Sequence, residues 1–127
     1  MSTDWRSLPR KSDFLVDDHT ITVDLAGGRT QRIYVEDGRE SALLRIWSVV
    51  ARSAVVDAVE DDPLFFAWQR NRVSDLVGFK VDPNGRPIGE AWVPFAGLSE
   101  EEWATYVIAV ARSCDRAEYL LTGKDSD

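Results

Sequence analysis

The sequence predicts an α+β domain, a twisted antiparallel sheet packed on helices in the order β-β-β-β-α-β-β-α. Three observations carry that expectation. Apolar residues alternate with period two through the first third of the chain, as on strands with one buried face. The run Asp82-Pro83-Asn84-Gly85 turns a second hairpin. A stripe of apolar residues at helical spacing fills the C-terminal quarter.

The first strand signal is the short apolar run Phe14-Leu15-Val16. From Thr20 the chain alternates, with Ile21, Val23 and Leu25 on one face, and Gly27-Gly28 then turns it. A two-residue loop would put Ile33 and Val35 on the face opposite Ile21 and Val23, so a three-residue loop, Gly27 to Arg29, is expected. Asp37-Gly38 reads as the next turn. It leads into residues 42–51, where two patterns compete. Leu43, Leu44, Trp47, Val50, Ala51, Ala54, Val55 and Ala58 would make a helical stripe, whereas the β-branched and aromatic content favours a buried strand. We expect the strand.

Asp62 followed by Pro63 is an N-cap with proline at the first helical position. It opens a helix through Leu64, Phe65, Trp68 and Arg72, with Leu64 and Trp68 expected on its inner face. The acidic run Asp57, Glu60, Asp61 and Asp62 suits the positive end of that helix better than it suits acid-base chemistry. In the second hairpin, from Leu76 to Val93, a three-residue loop sets Val77, Phe79 and Val81 across from Ala91, Gly89 and Pro87, which lets the Phe79 ring lie over Gly89. The last helix starts at a capping box, Ser99 with Glu102, and Leu98 can staple onto Trp103. Trp103, Val107, Val110, Cys114, Ala117 and Leu121 follow at steps of four and three. Gly123 is the expected stop.

Residues 1–12 read as a flexible N-terminal arm in which Trp5 and Leu8 can dock, residues 13–123 as a single α+β domain, and residues 124–127 as a polar tail. The chain has 127 residues and 44% hydrophobic content, enough for one core that buries about two-thirds of the unfolded surface. Twenty-two acidic against fifteen basic residues give a net charge of -7. Counterion release from phosphates needs cationic surface, and Arg and Lys are scattered along the sequence, so no nucleic-acid partner is expected. No run approaches the ~20 apolar residues of a membrane span, and the N-terminus has no signal-peptide core, so no membrane partner is expected either. With one cysteine and hence no internal disulfide, a reducing, cytoplasmic setting fits.

No catalytic set emerges. His19, in Asp17-Asp18-His19-Thr20, lacks ligands spaced on separate elements, and a solvated turn is the expectation. Cys114 sits in the apolar stripe with no histidine to activate it. No cofactor and no metal are expected.

Five tryptophans are a heavy endowment for this length. Trp47, Trp68 and Trp103 fit core positions. Trp92, with Ile88 and Leu76, falls on the hairpin face away from Phe79. Leu76, Ile88 and Trp92 are therefore the expected partner- or dimer-binding residues.

Val77-Gly78-Phe79-Lys80-Val81-Asp82 to Gly85, then Glu90-Ala91-Trp92-Val93-Pro94-Phe95-Ala96-Gly97-Leu98 and a long helix containing Ala111 to Asp115, resemble the YbjN family, whose fold is similar to type III secretion chaperones. Leu44 to Val50 ahead of a helix also looks like the corresponding family segment, and the likeness covers roughly residues 20–121. It implies a secretion chaperone-like fold, a homodimer, and binding of extended peptide segments from client proteins. The acidic charge is similar to that of those chaperones. The sequence departs from them in lacking the N-terminal helix signal that contributes to their client groove. The leading expectation is thus a non-catalytic protein- or peptide-binding domain, not an enzyme. The alternative is a small ligand- or metal-binding domain, or an enzyme, with a pocket between sheet and helices and Asp17, Asp18 and His19 at its mouth. An immunity- or antitoxin-like partner of a basic toxin also fits the acidity.

Overall fold

The structure, a computed structural model, describes residues 5–7, 14–38, 43–51 and 62–122. Within them lie six strands, β1 (Phe14–Val16), β2 (Thr20–Asp24), β3 (Thr30–Gly38), β4 (Leu43–Val49), β5 (Gly78–Val81) and β6 (Pro87–Pro94), and two α-helices, α1 (Pro63–Asn71) and α2 (Glu100–Thr122). The strands form one antiparallel sheet in the order β1-β2-β3-β4-β6-β5, with α1 between β4 and β5 in sequence. This is the α+β order the sequence predicts.

β4 settles the contest between strand and helix. Leu44, Ile46 and Ser48 are buried while Leu43, Arg45, Trp47 and Val49 are half-buried, a strict period of two. The β2–β3 hairpin keeps the expected faces with a displaced turn: Leu25 N donates to Arg29 O at 2.7 Å, the loop is Ala26–Gly28, and Ile21 pairs with Ile33. A shift of two residues preserves which side chains point inward, because the strand period is two. Asp37-Gly38 is not a turn. Asp37 pairs with Leu44 and Gly38 with Leu43, so the ladder satisfies their backbone groups and the reversal falls after Gly38, outside the described residues.

The second hairpin has the predicted register, with Phe79 opposite Gly89 and Val81 opposite Pro87. Asp82 builds its turn. Its Oδ1 accepts from Asn84 N and Arg86 N, its carbonyl accepts from Gly85 N at 2.9 Å, and Gly85 takes the positive φ of 80° that glycine accepts without strain. Burial pushes the Asp82 carboxyl up, but hydrogen bonds from the Arg86 backbone and side chain outweigh it and hold the group below its ordinary value.

At the start of α2, Ser99 Oγ accepts from Glu102 N and Glu102 Oε1 accepts from Ser99 N, both at 3.1 Å, the reciprocal capping box. Glu100, Glu101 and Glu102 add negative charge at the positive end of the helix dipole. All six residues of the predicted stripe, Trp103 to Leu121, are buried against the sheet. Gly123, the expected stop, lies outside the described residues. Small residues seat the helix closely on β4 and β6: a Cβ at Gly89 would stand 2.6 Å from Cys114 Sγ. Ser48, the buried polar residue beneath, donates to Arg32 O and accepts from Gln31 Nε2, so its hydroxyl is satisfied. Burial pushes the Cys114 thiol up to about 12, leaving it un-ionised and inert. A forked ion pair, Arg29 to Asp115 at 3.1 Å, ties the β2–β3 turn to α2.

Trp5, in a short 3-10 turn (Trp5–Ser7), docks as a core residue, its ring centroid 6.0 Å from that of Trp103. Leu8 lies outside the described residues.

Candidate functional site

Alternation along the strands gives the sheet a second face, turned away from α2. It is not uniformly available. Tyr34 and Trp47, a register pair, stack with centroids 4.5 Å apart, and the Arg45 guanidinium lies 5.2 Å from the Trp47 ring. Arg45 donates to Glu90 at 2.5 Å and to Glu36 at 3.1 Å, and Lys80 reaches Glu90 at 3.0 Å. Burial pushes the Glu90 carboxyl up, but the hydrogen bonds and charges of Arg45 and Lys80 outweigh it and keep the group ionised below its ordinary value of 4.5. Trp47 is thus half-sealed between a ring and a cation, not a core residue as the sequence suggests.

The three residues that the sequence marks as an interface part company here. Trp92, cross-strand from Arg45, is 50% exposed. Ile88 shares its strand face yet is 1% exposed, buried outside the main core. Leu76 lies in the loop after α1, half exposed, where it lines a groove against α2. Period two would hold Leu76 on the Trp92 face only if β5 began earlier than Gly78.

α1 carries the surface that sequence reasoning missed. Asp62 caps it, accepting from Leu64 N at 3.0 Å, with Pro63 next, as expected. Its inner face, however, is Phe66 and Ala67, which join the core. Leu64 and Trp68, expected inward, are exposed, as is Phe65. Residues 64–68 are apolar throughout, so periodicity does not choose a side. The choice is made by β5: Asn71 donates from Nδ2 to Phe79 O at 2.8 Å and accepts from Phe79 N at 2.6 Å, fixing the helix's rotation on the strand. Outside, Phe65 and Trp68 stack at 5.7 Å, and Arg72 lies 5.2 Å from the Trp68 ring. A signal did exist, in that Phe66 and Ala67 with Asn71 make an equally good stripe at helical spacing.

Of the nine large apolar side chains exposed among the described residues, five, Leu64, Phe65, Trp68, Val73 and Leu76, fall in residues 64–76. So dense a patch exceeds the scattered apolar exposure normal for a protein surface. Asp17, Asp18 and His19 are exposed in the β1–β2 turn, where Asp17 Oδ1 accepts from Asp18 N and Arg6 donates to Asp18 O. They do not line the groove beside Leu76. Among the described residues no group of three histidine, cysteine or carboxylate side chains is placed to hold a metal, and no helix is long and apolar enough to cross a membrane. Of the acidic run, Asp57, Glu60 and Asp61 lie outside the described residues.

No family model and no curated protein matches the sequence. The fold does match solved structures. A chain of the heterodimeric ExoU–SpcU complex from the type III secretion system of Pseudomonas aeruginosa superposes with a TM-score of 0.55 at 14% identity, covering 85% of this chain and 87% of that one. A chain of the HopA1–SchA chaperone–effector complex gives 0.52 at 12%, covering 87% and 81%. An uncharacterized protein from Methanothermobacter thermautotrophicus gives 0.53 at 17%, covering 95% and 92%. At these identities the likeness establishes a secretion chaperone-like fold.

Proposed function

We propose that this chain is a non-catalytic, chaperone-like domain that binds a segment of another protein through the outer face of α1. One observation carries the reading: Leu64, Phe65 and Trp68 project from a helix whose inner face is already filled by Phe66 and Ala67. Exposed aromatics of this density are what an apolar client anchor recognises, and the stacked Phe65–Trp68 pair presents a rigid ledge at low entropic cost. The fold supports it, since two structures of like fold come from a chaperone–effector complex and a heterodimeric secretion complex.

Trp92 is a second anchor on the far face of the sheet, and Leu76 extends the α1 patch, whereas Ile88 acts from beneath as packing. The YbjN resemblance adds a homodimer, with clients bound as extended segments, in a cytoplasmic setting.

Molar mass by light scattering tests the homodimer on the wild type, Phe65→Asp and Trp92→Ala. Co-expression with the products of adjacent genes tests the client. We expect a dimer or a co-purifying product with the wild type, lost in Phe65→Asp while circular dichroism is unchanged. A wild type that stays monomeric and retains none of those products sinks the reading, as does Phe65→Asp retaining both.

A further inference from the structure

The groove between the end of α1, the loop that follows it and the middle of α2 differs in chemistry from the apolar outer face of α1. Its volume is about 400 Å³, within the range of small-ligand pockets. Three arginines line it, Arg70 from α1 and Arg112 and Arg116 from α2, together with Ser74 and Ser113. Ala109, Arg112, Ser113 and Arg116 lie at helical steps of three, one and three, a face of α2 separate from its core stripe.

In a chain of net charge -7, three guanidinium groups gathered in one groove are not a reflection of overall composition. They also repel one another, most directly Arg112 and Arg116 at i, i+4. Among the described residues none of the three is ion-paired with a carboxylate. Asp75 shares the groove but makes no ion pair with any of the three, and Arg116 has only the Tyr119 ring, 5.8 Å from its guanidinium carbon. Arg70 is part-buried beside them, and its Nε has no hydrogen-bond acceptor. A buried donor left unmade costs free energy until an acceptor arrives.

We propose that this groove binds a small multivalent oxyanion, a di- or tricarboxylate or a phosphate, held by Arg70, Arg112 and Arg116 with Ser74 and Ser113 donating. Guanidinium forks match carboxylate and phosphate oxygens in pairs, and the serine hydroxyls supply further neutral donors at little desolvation cost. The bound anion offsets the repulsion across α2 and supplies counter-charge to the part-buried Arg70 guanidinium. The groove shares Val73 and Leu76 with the edge of the α1 patch, but its charged groups lie outside that patch, so anion binding is tested apart from docking at Phe65 and Trp68.

The test is a titration of the full-length protein with citrate and, separately, inorganic phosphate, at ionic strength matched with sodium chloride, followed in proton–nitrogen correlation spectra. The reporters are the Arg70 Nε–H signal and the Ser113 amide. We expect saturable shifts of both, weakened at least about ten-fold by the double variant Arg112→Gln/Arg116→Gln, a loss of one charge-assisted contact or more. Trp68→Ala leaves the titration unchanged. Saturation by citrate alone assigns a carboxylate ligand and by phosphate alone a phosphoryl one. The proposal is overturned if neither anion shifts the reporters beyond the chloride control, or if the folded double variant titrates like the wild type.

Discussion

Trp103 stands in the first turn of α2 and Trp68 in the second turn of α1, yet one is 4% exposed and the other 55%. On α2, every large apolar residue of the inner stripe is accounted for by packing on the sheet, and Trp103 also receives Trp5. On α1, two adjacent residues fill the core and the bulkiest side chains are left outside. Hydrophobicity is the same signal in both helices, but in α2 it specifies the fold and in α1 the surplus specifies a surface. The distinction is testable, because removal of a core side chain costs far more stability than removal of a surface one.

The largest effect belongs to α2. Trp103→Ala should cost about 3–5 kcal/mol of unfolding free energy, as for other buried tryptophans, measured by denaturant titration. A loss below about 1 kcal/mol, the size of a surface substitution, would erase the contrast between the helices.

The seat of α2 comes next. Gly89→Ala forces a methyl to within 2.6 Å of Cys114 Sγ at the closest approach of helix and sheet. We expect a loss of about 1–3 kcal/mol. Adding Cys114→Ala should return part of it, since the sulfur is the obstacle. Strict additivity of the two substitutions would show that helix and sheet are not in that contact.

Much of this was legible beforehand, for identifiable reasons. The Asp82-Pro83-Asn84-Gly85 turn, the Ser99/Glu102 capping box and the α2 stripe depend on neighbours in sequence, so local chemistry decides them. The burial of Cys114 followed from its place in that stripe. The inner face of α1 depends on Asn71 meeting Phe79, a contact to a strand that periodicity does not see. Ile88 keeps the strand face that the sequence gives it but is covered, for a related reason: strand parity gives the face of a residue, not what covers it. The arginine groove was hidden because Arg70 is some forty residues from Arg112 and Arg116, and charges scattered in sequence converge only in the fold.

A smaller effect should appear in acid, on the sheet face away from α2. Glu90 is held below its ordinary value of 4.5, so its ion pairs with Arg45 and Lys80 contribute stability above that pH. The contribution is lost as pH falls from about 4.5 through the lower folded value, because the unfolded state takes up the proton first. Glu90→Gln should therefore flatten part of the acid limb of stability against pH while changing little between pH 6 and 4.5 beyond a constant offset. An acid limb of unchanged slope would show that the Arg45–Glu90 pair does not hold the strands together.

The smallest effect on stability, and the sharpest test of the comparison, is Trp68→Ala. The ring has Phe65 and Arg72 as neighbours, all three on the solvent side of α1, so its removal takes away less buried area than that of Trp103. Loss of the exposed stack and of the cation above the ring should cost about 1 kcal/mol. The same ring stands where an apolar anchor of a partner would land, at the centre of a patch that runs from Leu64 to Leu76. If Trp68 is there for the fold, the variant loses stability and any binding loss follows from unfolding. If it is there for a partner, association weakens while the domain stays folded and the denaturation midpoint moves no further than that small loss, because truncating a central aromatic removes the desolvated contact on which such interfaces depend.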